Sequence, residues 1–242
     1  MSLRIAIVGG GLGGLTAALC LRQAGLQATV YEQAATLREV GAGIVVPPNM
    51  VRPLERLGLG VGLADVGVEL QAAWEFRRWQ DGRVLSSQPM GDECRRLYGT
   101  PCYVAHRADL LSLLQNALPA DQVKLGYRCR AVRHDGIGAV QLEFADADGQ
   151  RQVVDADVVV GADGIHSVAR PLVAPNAEAR FSGLCAFRCL VPAEQAPEFA
   201  CRPVQTLWLG PGRHFVHYPI RSGRLVNVVA LVPAGEWRDE SW

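Results

Sequence analysis

The hydrophobic pattern opens with a short apolar strand, Leu3–Val8, and breaks at once into a turn that is nearly all glycine, Gly9-Gly10-Gly11-Leu12-Gly13-Gly14. A helix-compatible run follows over Leu12–Ala24 and Gly25 stops it; a second strand, Ala28–Tyr31, ends at Glu32. The helix has almost no polar face, which suits one sandwiched between layers. A loop opens at Gly41-Ala42-Gly43-Ile44 and runs through Pro47-Pro48-Asn49 to a helix over Met50–Leu57. Around Trp74–Ser86 the pattern becomes that of a hairpin, with Asp81-Gly82 at its turn. Arg107–Leu118 carries Leu110, Leu111, Leu114 and Leu118 on one helical face. Strands are expected at Val123–Val132, Val140–Ala145 and Arg151–Asp155. The continuous apolar run Asp157–Val160 then reads as a strand buried on both faces, ending in Gly161-Ala162-Asp163-Gly164. From Phe181 onward the chain is nearly all strand, at Leu184–Val191, Val204–Leu209, His214–Ile220 and Leu225–Val232.

Strand, glycine turn, helix, strand is the unit that holds the ADP half of a dinucleotide. Gly9 permits the tight turn, Gly11 lets backbone approach the pyrophosphate, and Gly14 allows close helix–strand packing. The phosphates face the amides at the helix start, where unpaired donors and the helix dipole favour anions. Glu32, 23 residues after Gly9, has the spacing of a carboxylate that accepts from a ribose hydroxyl. It would repel a 2′-phosphate, so the reading is FAD or NAD rather than NADP.

Composition narrows this little further. Among 242 residues, 24 basic and 24 acidic side chains balance, so no net charge steers the chain to nucleic acid or an anionic membrane. No apolar run reaches the length of a membrane span. Seven scattered cysteines form no C-x-x-C pair, which argues against a disulfide framework or a metal site and for a reducing cytoplasm.

Three motifs together resemble the FAD-dependent aromatic hydroxylases, single-component flavoprotein monooxygenases that include salicylate, hydroxybenzoate and hydroxynicotinate hydroxylases. They are the glycine turn ending with Glu32, the Arg107-Ala108-Asp109-Leu110 helix start, and the run from Asp157 to Gly164. The resemblance covers essentially the whole chain. It is most similar to the salicylate and 3-hydroxybenzoate 6-hydroxylase branch in Gly41-Ala42-Gly43-Ile44, the His214–Tyr218 strand and Glu240-Ser241-Trp242. The fold so implied is α/β: an FAD-binding Rossmann-like parallel sheet with an inserted antiparallel hairpin layer, plus a mostly antiparallel substrate-domain sheet. Residues 1–72 and 100–175 would form a discontinuous FAD-binding domain, and 73–99 with 176–242 an incomplete substrate-domain sheet.

The resemblance also implies the chemistry of an oxidoreductase. NADH or NADPH reduces FAD, O₂ gives a flavin C4a-hydroperoxide, and an electron-rich ring takes its terminal oxygen. By the same analogy Arg107 reaches the ribityl–pyrophosphate region and Asp163 lies near the FAD; Arg38 is a further cofactor-binding candidate. His214 and Tyr218 are the catalytic candidates. Four apart on a strand, they share a face with Cα atoms ~13 Å apart at ~3.3 Å per residue, while Phe215 and His217 point the other way. A free imidazole titrates near ~6.5, so His214 suits the removal of a phenol proton. His106 and His217 read as structural.

Two departures stand out. Val45 holds the place of a histidine found in hydroxynicotinate-type members, which weakens a pyridine substrate. The family's third signature, a Gly-Asp with a proline loop and long helix, finds no match before Trp242, so the chain resembles an N-terminal portion with weakened flavin retention. The expected partners are a small aromatic substrate and O₂, with room for a homodimer, and no nucleic acid. The competing readings are a catalytically impaired flavin-binding fragment, a flavin epoxidase or halogenase on the same scaffold, and an NAD-binding regulatory module.

Overall fold

The computed structural model describes residues 3–37, 42–134, 136, 138–177 and 179–236. The chain separates into two compact units, Met1–Arg38 with Leu111–Arg180, and Glu39–Leu110 with Phe181–Trp242.

The first unit is built on a four-stranded, wholly parallel sheet in the order Val158–Gly161, Ile5–Val8, Ala28–Glu32, Val123–Leu125. Its first crossover is the helix Leu12–Gln23, which buries Gly14, Leu15, Ala18 and Leu19. That helix is covered on one side only, since Cys20 is exposed, so its apolar character exceeds what its packing uses. Ile7, Leu15 and Val30 are fully buried between helix and sheet strands. The run Asp157–Val160 does not become a strand buried on both faces. It lies at the end of the four-strand order, and Val158 is 41% exposed. At the amino ends of these strands Arg4 makes three hydrogen bonds to the Asp157 carboxylate, two from its guanidinium and one from its amide, and together they hold that carboxyl down at about 2.

The single strand expected over Val123–Val132 is two. Gly126, at φ +78°, turns the chain out of the parallel sheet, and Arg128–Arg133 starts an antiparallel layer with Val140–Ala145 and Arg151–Ala156. Phe144 and Leu142, fully buried, pack this layer on Ala6 and Val8 of the parallel sheet. Phe144 stacks on Tyr31 with ring centroids 4.5 Å apart.

The second unit contains a six-stranded sheet in the order Leu184–Pro192, Leu225–Pro233, Arg213–Ile220, Val204–Gly210, Ala73–Arg78, Val84–Pro89. All pairs are antiparallel except Val204–Gly210 with Ala73–Arg78. The strands Gly43–Val46, Tyr103–His106 and Gly67–Glu69 form a separate three-stranded sheet in this unit. Gly43–Val46 is therefore strand where a loop is expected. Leu70, Cys102 and Val104 meet Val216, Tyr218 and Ile220 in one buried cluster, which explains why these strands are apolar. The short helices Gly60–Val66 and Asp92–Tyr98 are not legible in the pattern, being too short to show a period.

Among the described residues no helix is long and apolar enough to cross a membrane, and no group of three His, Cys, Asp or Glu side chains could hold a metal ion.

The glycine turn is dictated by packing as well as by conformation. Gly9 sits at φ +104°, and a Cβ there would lie 2.3 Å from the Ala162 carbonyl oxygen; a Cβ on Gly14 would lie 1.9 Å from the Gly9 oxygen. Gly9→Ala and Gly14→Ala are each expected to cost about 2–4 kcal/mol, read as a lowered urea midpoint. A midpoint equal to wild type would show that the turn is looser than these contacts require.

Candidate functional site

The carboxyl edge of the parallel sheet brings together two of the three motifs read from sequence. The Gly9 amide donates to the Tyr31 carbonyl at 2.8 Å and the Ala162 amide to the Val8 carbonyl at 2.8 Å, so the glycine turn, the end of the second strand and the Ala162-Asp163 turn adjoin. Such an edge is where ligands bind in open parallel sheets.

Here Gly11 behaves differently from Gly9 and Gly14. No described residue lies within 4 Å of a Cβ built on it, so its missing side chain leaves open space in front of the helix. As the N-cap of Leu12–Gln23 it supplies no side-chain hydrogen bond, and the first turn holds no acidic residue. The leading amides are thus left for an anion. Glu32 closes the other side. One carboxylate oxygen accepts from the Gly10 amide at 2.6 Å and the other from the Ala34 amide at 2.8 Å. Each carboxylate oxygen retains a further lone pair for a ribose hydroxyl. An open glycine, an uncapped helix start and a fixed carboxylate fit the ADP half of FAD.

Asp163 has its own internal work. One oxygen accepts from the Ser167 hydroxyl at 2.6 Å; the other accepts from the amides of Val168 at 2.6 Å and Ala169 at 3.1 Å. It therefore shapes the turn after the last parallel strand. Arg107 opens the helix Arg107–Asn116, its amide donating to the Ala42 carbonyl at 2.9 Å. Arg38 and Gly41 lie outside the described residues, as do the final residues 237–242. Asp109, in the same motif as Arg107, is held by both guanidinium arms of Arg221 at 2.8 Å, which gives that carboxylate a structural partner.

His214 and Tyr218 lie in the Arg213–Ile220 strand, opposite Leu231 and Asn227 respectively. Their environments differ. His214 is half-buried, whereas Tyr218 is 4% exposed within the cluster of Leu70, Val104 and Ile220. Burial pushes the Tyr218 phenol up to about 12, against a small opposing effect of Arg188. Sequence reasoning misses Asn227, though an amide inside the apolar run Leu225–Val232 is a signal. It is fully buried, its Oδ1 accepts the Gly43 amide at 2.7 Å, and its Nδ2 has no partner among the described residues. A Cβ on Gly43 would come within 2.6 Å of both Asn227 Cγ and Tyr218 Cε2. Gly43 is small because it packs on this pair.

The opposite sheet face is aromatic. A hollow of about 440 Å³ is bordered by Trp79, Trp208, Arg213, His214 and Phe215. Deeper on this face His217 is 3% exposed with neither ring nitrogen bonded to a described residue, among the rings of Phe199, Trp208 and Phe215. Burial first, then the Arg77 charge, lowers its pKa to about 4, with Glu75 opposing. His106 is lowered for the same leading reason, burial, with Arg221 adding and Asp109 opposing.

Comparison with known proteins agrees with this geometry. A family profile described as "FAD binding domain" matches residues 2–238. A 3-amino-4-hydroxybenzoate 2-monooxygenase of Streptomyces cremeus is 46% identical over 229 residues, 95% of this chain and 56% of that protein. A 3-hydroxybenzoate 6-hydroxylase of Aquipseudomonas alcaligenes is 33% identical, over 98% of this chain and 59% of its own length. The chain thus spans less than two thirds of these relatives. The structure of Klebsiella pneumoniae HpxO complexed with FAD and uric acid superposes with a TM-score of 0.80 at 27% identity, covering 98% of this chain and 58% of that one.

Gly11→Ala is expected to leave the urea midpoint close to wild type while weakening FAD binding at least tenfold in a flavin-fluorescence titration; equal affinity would remove Gly11 from the site. For His217, the unfolded chain takes up a proton near ~6.5 and the folded chain only near 4. Between those values the unfolded state binds more protons, so stability falls as pH drops from ~6.5 to about 4 and levels below. His217→Leu should flatten that decline, measured as urea midpoints at several pH values across the interval; an unchanged decline would place its origin elsewhere. With the profile matched along nearly the whole chain, and the open glycine turn and Glu32 in place beneath it, the chain belongs to the FAD-binding domain family.

Proposed function

We propose that this protein is an FAD-dependent monooxygenase that hydroxylates a small hydroxylated aromatic acid, with NADH or NADPH as reductant and O₂ as oxidant. The observation that carries the reading is the open turn at Gly11 between an uncapped helix start and the Glu32 carboxylate, in a chain 46% identical to a monooxygenase of an aromatic acid. Bound FAD would supply the reduction of O₂ and the transfer of one oxygen atom to the ring.

This chain's own residues then have distinct tasks. The amides following Gly11 bind the pyrophosphate, Gly9 and Gly14 hold the turn that presents them, and Glu32 accepts from the ribose. Arg107 and Arg38 supply cationic partners to the phosphates, a role suited to a guanidinium that forks onto oxygen pairs. Asp163 keeps the Ala162–Ala169 turn in shape beside Gly9. His214 accepts the substrate's phenol proton, which raises electron density in the ring before it is oxygenated. Tyr218, with its phenol raised to about 12, stays protonated at neutral pH and acts as a donor, never as the base. Asn227 fixes the strand beginning at Gly43 against it.

The test uses the full chain reconstituted with FAD and supplied with NADH and 3-amino-4-hydroxybenzoate or 3-hydroxybenzoate. Ring-dependent NADH oxidation and a hydroxylated product by chromatography are expected. His214→Asn should lower product formation about 10²–10⁴-fold while NADH oxidation continues with release of H₂O₂. Tyr218→Phe should have a smaller effect, mainly on KM. Full hydroxylation by the His214 variant would remove it from the chemistry. Absence of any ring-stimulated NADH oxidation by the flavin-loaded wild-type chain would sink the assignment.

A further inference from the structure

We infer that the hollow bordered by Trp79, Trp208, Phe215 and Arg213 is a second ligand site, for a planar aromatic carboxylate, on the sheet face opposite the side chain of His214. Strand register sets the geometry. Gly210 pairs with Arg213, Trp208 with Phe215, and Phe215 with Ala230, so Arg213 and Phe215 share the face of Trp208. His214 pairs with Leu209 and Leu231, one residue out of step, and its side chain points the other way. The hollow also borders His214 and Leu231, but their side chains alternate to the face assigned above to the hydroxylated substrate.

Its walls are aromatic and held in place. Trp79 is 57% exposed and Phe215 38%, a concentration of uncovered ring surface that gains by being covered. A Cβ on Gly210 would press on Trp79 at 3.3 Å, and one on Gly82 on Trp208 at 3.3 Å, so two glycines make room for the indoles. Trp208 is braced by the Arg77 guanidinium 5.8 Å from its ring centroid, and Arg77 is itself tied to Glu75 at 2.7 Å. The bracing of Trp208 lowers the entropy lost when a flat ligand enters.

Charge selects the ligand. Arg213 is exposed, and its guanidinium makes no hydrogen bond or ion pair with any described residue, leaving it available to fork onto a carboxylate. The carboxylates of the adjoining strand and turn, Glu75 and Asp81, are already bonded to Arg77 and Arg78. An anion at Arg213 therefore meets a positive charge without a free negative one beside it. A volume of about 440 Å³ suits one or two fused rings.

The experiment titrates the full chain with naphthalene-2-carboxylate, followed by tryptophan fluorescence and calorimetry. Saturable quenching is expected. Arg213→Gln, at an exposed position, should weaken binding at least tenfold with an unchanged circular dichroism spectrum, and Trp79→Ala should do the same. The neutral naphthalene-2-carboxamide should bind the wild type about tenfold more weakly than the acid, a difference that vanishes in Arg213→Gln. His214→Asn should bind the acid as the wild type does, which separates this site from the proposed hydroxylation site. The inference is overturned if Arg213→Gln keeps wild-type affinity or if His214→Asn abolishes binding. It is also overturned if sedimentation shows a dimer that Trp79→Ala dissociates and the naphthoate leaves intact, since a second copy of the chain would then own the hollow.

Discussion

The approach of one backbone to another at Gly9 is the constraint on which the first unit depends. The turn after the first strand lies against the Ala162 carbonyl, and the helix that follows lies against the Gly9 oxygen. Both contacts leave no room for a Cβ. They bring the first and last parallel strands and the first helix to a single point, and that point is the carboxyl edge of the sheet. The open space at Gly11 and the anchored Glu32 carboxylate are consequences. A looser turn would not aim the helix amides across the same few ångströms.

In the second unit the governing fact is the two-residue alternation of one strand, Arg213–Ile220. Its even positions Val216, Tyr218 and Ile220 meet Leu70 and Val104 in a core, where burial keeps the Tyr218 phenol protonated and Asn227 clamps Gly43. Its odd positions build an aromatic face in which His217 is kept neutral by burial and Phe215 and Arg213 border a hollow. Adjacent residues thus serve opposite surfaces, and a shift of register by one residue would exchange them.

Much of this is legible in the sequence for identifiable reasons. The glycine turn, its flanking strands and Glu32 stand out because phosphate binding demands particular residues at particular spacing. The long strands after Phe181 stand out because β-branched and aromatic residues run between turn signals at strand length, too short for a buried helix. The glycines around Gly43–Val46 point to a loop, but Gly43 serves a crowded contact with Tyr218 and Asn227 inside a strand. The hydrophobicity of Asp157–Val160 points to burial on both faces, yet a strand's place in the sheet order is set by partners far away in the chain. The break at Gly126 is hidden because both halves of Val123–Val132 favour extended backbone.

The amino-acid sequence by itself determined the class of fold, the dinucleotide fingerprint and which side chains alternate along each strand, because all of these follow from short-range spacing and backbone sterics. Only the tertiary structure decided what each face meets. It gave Asp163 and Asp109 their internal partners, placed Asn227 against Gly43, raised Tyr218 and lowered His217 through burial, and gathered Trp79, Trp208 and Phe215 around one hollow. Those properties depend on desolvation and on contacts between residues distant along the chain, which no local pattern encodes.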